Sequence, residues 1–173
     1  MLESEEIYLR MVEKEDLKER VNWINDDENH EFLGFDWPIS LSKTEKWFQN
    51  QLLDSTKLNF SIFSKDTNTI IGMTGLLNID IRNLKAEFYV TIGNKNYRGK
   101  GFTKQIIEII LEYGFLELGL NKIYLTTFEE NKKAQKIYEK NRFKLEGILR
   151  KDKFHMGQLK NIYVYSILRD EWR

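Results

Sequence analysis

Ala86-Glu87-Phe88-Tyr89-Val90-Thr91-Ile92 and, five residues on, Tyr97-Arg98-Gly99-Lys100-Gly101-Phe102 decide how this chain folds. The first stretch alternates, with Phe88, Val90 and Ile92 on one face and Glu87, Tyr89 and Thr91 on the other, which predicts a strand. The second opens helical spacing that runs from Phe102 to about Leu118 through Ile106, Ile107, Ile110, Tyr113 and Leu116. Gly119 stands where helices end in a left-handed residue. A second strand, Lys122–Thr127, follows. A strand, a helix and a strand in that order make a crossover, so at least one strand pair is parallel.

Outward from this unit the chain reads as hairpins and helices. Ile7–Met11 is a strand, and residues 15–25 carry Leu17, Val21 and Ile24 at helical spacing. Residues 26–39 hold Gly34 and the single proline, Pro38, and read as an irregular connection. Ser42 with Glu45 three residues later predicts a capping box for the helix carrying Trp47, Phe48, Leu52 and Leu53. Phe60–Phe63 and Ile70–Leu77 alternate about Asp66, Thr67 and Asn68 as a hairpin. Asn131 is a capping residue for a helix through Ala134, Ile137 and Tyr138. Two last strands, about 143–149 and 159–168, form a long hairpin. The expectation is one α/β (α+β) domain spanning 1–173, with a mixed, mostly antiparallel sheet of about seven strands flanked by about four helices.

Composition narrows the function. Aromatics at 13% argue against disorder, and 173 residues suffice for one buried core. No apolar run is long enough for a bilayer span, and the acidic start lacks a signal-peptide core, so a cytoplasmic protein without a membrane partner is expected. The absence of cysteine excludes disulfides, thiolate metal sites and a cysteine nucleophile, and two histidines leave no metal centre. Residues 1–36 carry twelve acids against four bases, whereas residues 131–160 carry ten bases against three acids. That polarity suits an anionic ligand at one side and a cationic one at the other.

The glycine turn is built for an anion. Gly99 and Gly101 let backbone approach a ligand, the first helical N–H groups point outward, and Arg98 and Lys100 add positive charge. A dinucleotide fingerprint is excluded because Lys104 occupies the place of its third glycine. A P-loop is excluded because Gly93 and Gly99 are separated by five residues and Gly101 follows Lys100.

With these residues in view the sequence resembles the GNAT superfamily of N-acetyltransferases. Asn96-x-x-Gly99-x-Gly101 matches its acetyl-CoA motif with Asn at the first position. Glu87, Asn131-x-x-Ala134, Tyr138-Glu139-Lys140 and Phe143 match in order, although Arg142 stands where the family usually has glycine. Glu146-Gly147-x-Leu149-Arg150 and Asp170-Glu171-Trp172 look like the branch of ribosomal-protein, spermidine and amino-sugar acetyltransferases. The resemblance implies acetyl-CoA as cosubstrate, no metal, and direct attack of an amine in a ternary complex. It implies Glu87 as base and Tyr138 as general acid. Val90 and Ile92 would supply backbone donors, and Arg98, Gly99, Lys100, Gly101, Phe102, Thr103 and Asn131 would bind the cosubstrate. Asp26, Glu28, Glu31, Phe35 and Trp37 would face the acceptor, which is expected to be a protein N-terminus or a polyamine-like amine. An amino sugar or aminoglycoside is the alternative, and a non-catalytic acyl-CoA sensor the alternative of another class. A homodimer is allowed, and no nucleic-acid partner is expected, since the basic stretch lacks a stacking surface.

Overall fold

The computed structural model describes residues 2–30 and 37–172. Its eight strands form one sheet: β1 (Leu2–Glu3), β2 (Ile7–Met11), β3 (Leu58–Ser64), β4 (Ile70–Asp80), β5 (Lys85–Ile92), β6 (Lys122–Phe128), β7 (Lys144–His155) and β8 (Gln158–Leu168). The helices are α1 (Leu17–Ile24), α2 (Asp27–His30), α3 (Leu41–Gln51), α4 (Phe102–Glu112), α5 (Lys132–Lys140) and α6 (Arg169–Trp172). The sheet order is β1-β2-β3-β4-β5-β6-β8-β7. All neighbours are antiparallel except β5 and β6, the pair that the crossover predicted. The strand total exceeds the expected seven by the two-residue β1, too short for a periodic signal.

Alternation along β5 sorts the two faces. Ala86 and Phe88 enter the main core with Ile106, Ile107, Ile110 and Phe115 from α4 and the π turn that extends it to Glu117. On the other face Val12, Leu17, Trp23, Phe48 and Met73 form a smaller cluster against which Tyr89 packs, so α1 and α3 cover this side. Ile106, Ile110 and Phe115 are fully buried, each worth roughly 1.5–3 kcal/mol relative to exposure.

Two local expectations are corrected. Ser42 does not cap α3: Ser40, extended at φ −103° and ψ 158°, accepts the Lys43 N–H on its Oγ, and Ser42 lies inside the first turn. Glu45 instead reaches Lys14 at 3.7 Å. The capping box of this chain is Glu13 with Asp16, where the Glu13 N–H donates to Asp16 Oδ2 at 2.9 Å ahead of α1. The stretch expected to be irregular contains one helical turn, α2, and residues 31–36 lie outside the described residues.

Candidate active site

The site lies where β5 and β6 part. Their parallel register covers only Lys85–Lys122, Ala86–Ile123 and Glu87–Tyr124. Both strands run on, β5 to Ile92 and β6 to Phe128, without pairing to each other. A wedge therefore opens at the carboxyl ends of these strands, with the backbone of Val90–Ile92 along one side. Alternation along the chain predicts the strands but not the wedge.

Two clefts meet there. The larger, about 960 Å³, runs along Val90–Ile92, the glycine turn and the first turns of α4 and α5. The smaller, about 370 Å³, lies towards α1 and α3, between Trp23, Trp47, Tyr89 and the β6–β8 side. Val90, Thr91, Asn131 and Tyr138 line both.

Local geometry explains the larger cleft. Gly99 and Gly101 sit at φ +74° and +84°, and Gly101 is the N-cap of α4. A Cβ at either would meet nothing within 4 Å, so glycine is required by the backbone angle and the space is open to a ligand. Arg98 Nε donates to the Ile92 carbonyl at 3.1 Å, and Lys100 Nζ lies 4.8 Å from the Tyr97 ring centroid. Phe102 is buried against Tyr97 and anchors the helix start. Thr103 lies in the first turn beside the cleft. Asn131 Oδ1 accepts the Ala134 N–H at 3.1 Å and caps α5. Arg98, Lys100, Lys104, Lys132, Lys133 and Lys140 line this cleft with one described carboxylate, Glu130, which Lys160 holds at 2.9 Å. Such a cleft suits a ligand with several phosphates.

Glu87 faces the smaller cleft. Asn78 Nδ2 donates to its Oε2 at 2.8 Å and Thr126 Oγ1 to its Oε1 at 3.3 Å. Asn78 reaches it because the β4–β5 register slips between Leu77 and Asp80 and Asn78 takes φ +49°. A bulge of this kind re-aims a side chain. Neither partner was expected; the available signal was an asparagine, tolerant of the left-handed region, interrupting the apolar β4.

Tyr138 lines both clefts. Burial pushes its phenol up to about 12, so it is neutral across the physiological range. Its ring is held at 5.9 Å from Phe143 and 6.3 Å from Tyr165. The end of α5 fixes the first contact. The Phe143 N–H donates to the Tyr138 carbonyl and the Arg142 N–H to that of Glu139, both at 3.1 Å, a Schellman motif with its apolar contact. Arg142 supplies the left-handed residue at φ +69° and reaches the Trp172 carbonyl at 3.0 Å. Arginine in place of the family's usual glycine thus keeps the turn.

The described members of the expected acceptor set lie away from the two clefts. Asp26 and Glu28 each hold Lys95 Nζ at 2.9 Å and line neither cleft. Trp37 also lines neither and is 47% exposed. Glu31 and Phe35 lie outside the described residues. The residues that do line the smaller cleft, Arg20, Lys57, Asn59, Tyr89 and Lys153 among them, come from five separate elements or turns and form no sequence motif.

An acetyltransferase (GNAT) domain profile matches residues 6–144. The chain belongs to the GNAT acetyltransferase family. An uncharacterized N-acetyltransferase p20 of Bacillus licheniformis is 31% identical, the match covering 99% of this chain and 97% of that protein. The spermidine N(1)-acetyltransferase of Vibrio cholerae serotype O1 is 30% identical over 98% of this chain and 96% of its own. The crystal structure of spermidine N-acetyltransferase from Vibrio cholerae in complex with CoA and spermine superimposes with a TM-score of 0.91 at 28% identity, covering 98% of this chain and 99% of that one. This GNAT domain is an acetyl-CoA-dependent N-acetyltransferase, with acetyl-CoA as cosubstrate. Among the described residues no group of three or more His, Cys, Asp or Glu side chains is placed to hold a metal, and no helix is long and apolar enough to cross a membrane.

Proposed function

We propose that this GNAT domain acetylates a primary amine by direct attack on acetyl-CoA in a ternary complex. The observation that carries the reading is the meeting of a cationic cleft and a smaller acceptor cleft at Val90, Thr91, Asn131 and Tyr138. Acetyl-CoA supplies the activated acyl group. The first turn of α4 and the flanking Arg98 and Lys100 hold its phosphates, and Asn131 and the Val90–Ile92 edge receive its pantetheine arm.

An alkyl ammonium, with a pKa near ~10, attacks only after losing a proton. Glu87, fixed by Asn78 and Thr126, takes that proton directly or through one water. The amine nitrogen then bonds to the acyl carbon as the carbon–sulfur bond breaks, and backbone N–H groups at the unpaired β5 edge meet the charge developing on the carbonyl oxygen. Tyr138 gives its proton to the departing sulfur and regains one from solvent. Burial keeps the Tyr138 phenol protonated until the thiolate forms.

For the acceptor, the spermidine enzymes among the relatives support a polyamine, and the resemblance also allows a protein N-terminus. A homodimer or larger assembly is supported by β7, an edge strand with Ile148, Leu149 and Phe154 exposed, and by a relative from Vibrio cholerae described as dodecameric. The deciding experiment pairs calorimetric titration of CoA with thiol release from acetyl-CoA in the presence of amines. Saturable CoA binding with amine-dependent release is expected. CoA binding without release for any amine would leave the acyl-CoA sensor.

A further inference from the structure

Gln135 is a buried polar side chain beside the site that no reaction step uses. It is the buried residue of α5, 6% exposed, and it lines neither cleft. An apolar side chain would fill such an inward position at less cost, because a buried amide must find partners for its polar atoms. Gln135 finds them at the entrance to its own helix. Long helical side chains lean back towards the N-terminus, so an amide at the fourth position of α5 reaches the preceding turn. Its Nε2 donates to the Phe128 carbonyl at 3.1 Å and to the Glu129 carbonyl at 2.9 Å. Its Oε1 accepts from Lys132 Nζ at 3.3 Å.

The turn that Gln135 holds is a wall common to both clefts. Phe128 lines the smaller cleft, Glu130 and Lys132 the larger, and Asn131 both. Phe128 forms the last β6–β8 pair, with Ile162, and the chain then turns out of the sheet. Two clamps fix that turn. From β8, the Asn161 carbonyl accepts the Glu129 N–H at 3.1 Å, and Asn161 Nδ2 and the Tyr163 hydroxyl donate to the Glu129 carboxylate at 2.9 and 3.2 Å. From α5, Gln135 adds its backbone N–H, which donates to the Asn131 carbonyl at 3.1 Å, to the two side-chain bonds. Asn131 therefore has its carbonyl and its capping Oδ1 committed to α5. Its amide Nδ2 is the group left to meet a ligand, as a hydrogen-bond donor. Where that donor points depends on how the turn sits against the helix, and the Gln135 side chain sets that spacing.

We propose that Gln135 is a positioning residue for the cosubstrate: by bridging the end of β6 to the first turn of α5, it aims the Asn131 amide at a carbonyl of the pantetheine arm. The proposal rests on the acetyl-CoA reading of the larger cleft and deepens it, because it names a group outside the lining that sets CoA affinity. The phosphates, assigned to Arg98, Lys100 and the start of α4, lie on another element and do not depend on the bridge.

The test is calorimetric titration of two probes, CoA and adenosine 3′,5′-bisphosphate, which lacks the pantetheine arm. Gln135→Met keeps the length and helix propensity of the side chain but has no donor. It should weaken CoA binding roughly 5- to 50-fold, the size of one lost buried hydrogen bond. Bisphosphate affinity should change by less than about twofold, the usual limit for independent sites. Asn131→Asp keeps the cap and removes the amide donor. In that background Gln135→Met should alter CoA affinity by less than about twofold, since the two residues act as one. Equal weakening of both probes, unchanged CoA affinity, or full weakening retained beside Asn131→Asp would overturn the proposal and leave Gln135 a structural clamp. Gln135→Asn, an amide one methylene too short to reach both carbonyls, should give the same pattern and decides the question if the Met variant does not fold. A wild type that did not bind CoA would instead overturn the cosubstrate reading, and this inference with it.

Discussion

Tyr138 and Glu87 are two side chains whose roles separate by kinetics. Tyr138→Phe should lower kcat by roughly 10²–10⁴-fold with CoA affinity near wild type, because only an interaction made at the transition state is lost. An unchanged kcat would reduce Tyr138 to packing against Phe143. Glu87→Gln should depress the rate and flatten the acidic limb of the pH–rate profile, and persistence of that limb would place the base elsewhere. Tyr138 also makes an alkaline prediction. Its phenol and that of Tyr165, which is buried and donates to Glu139 at 2.9 Å, are both pushed up to about 12. A raised value means that the folded state keeps these protons longer. Stability is therefore complete below about pH 10 and is lost as pH rises towards 12. Burial raises the Tyr89 phenol as well, so ultraviolet titration should show at least three tyrosines ionising well after the exposed ones, and the late step should lose one tyrosine in Tyr138→Phe. Arg142 is the residue that departs from the family pattern at a cost. Left-handed backbone costs a non-glycine residue about 1–2 kcal/mol, and glycine gives back about 0.4–1 kcal/mol in unfolded-state entropy. Arg142→Gly should thus stabilise by up to roughly 1 kcal/mol, or a rise of about 2–4 °C in Tm. A fall in Tm would mean that the bond to the Trp172 carbonyl outweighs the strain.

Among the elements, α1 is tied to β5 by one close approach. A Cβ on Gly93 would lie 2.1 Å from the Trp23 ring, and the Gly93 carbonyl accepts from Asn29 at 3.3 Å. Trp23 lines the acceptor cleft and belongs to the smaller core, so α1 cannot retreat without opening both. Gly93→Ala should destabilise by about 1–3 kcal/mol, the usual range for overpacking, and should raise the acceptor KM more than it alters CoA affinity. Equal effects on both ligands would show that the clefts move together. The helix caps teach a related lesson. Ser40 and Ser42 both precede acceptable helical sequence, and Ser40 is used because its extended backbone aims Oγ at the Lys43 N–H. Composition offers two caps, and the path of the entering chain selects one.

On the scale of the whole molecule, a net charge of zero conceals a sorting of charge. Six cations surround the larger cleft, so CoA binding should weaken with rising salt, by more than tenfold between low and physiological ionic strength if several phosphate contacts form. Calorimetry at two salt concentrations measures this, and salt-independent affinity would put the phosphates outside the cleft. Within the acidic end, Asp26 and Glu28 are engaged by Lys95 and line neither cleft. The sequence by itself determined the order of the seven longer strands and the four longer helices, the crossover that makes β5–β6 parallel, the glycine turn at the start of α4, and the positions of Glu87, Asn131 and Tyr138. Those features follow from periodicity, backbone angle and local spacing, all of which are short-range. Tertiary structure alone decided where β5 and β6 part, which bulge turns Asn78 onto Glu87, and which charges face the acceptor. Each of these depends on strand register or on side chains far apart in the chain, and a one-residue shift in the register of β5 would turn Glu87 to the opposite face.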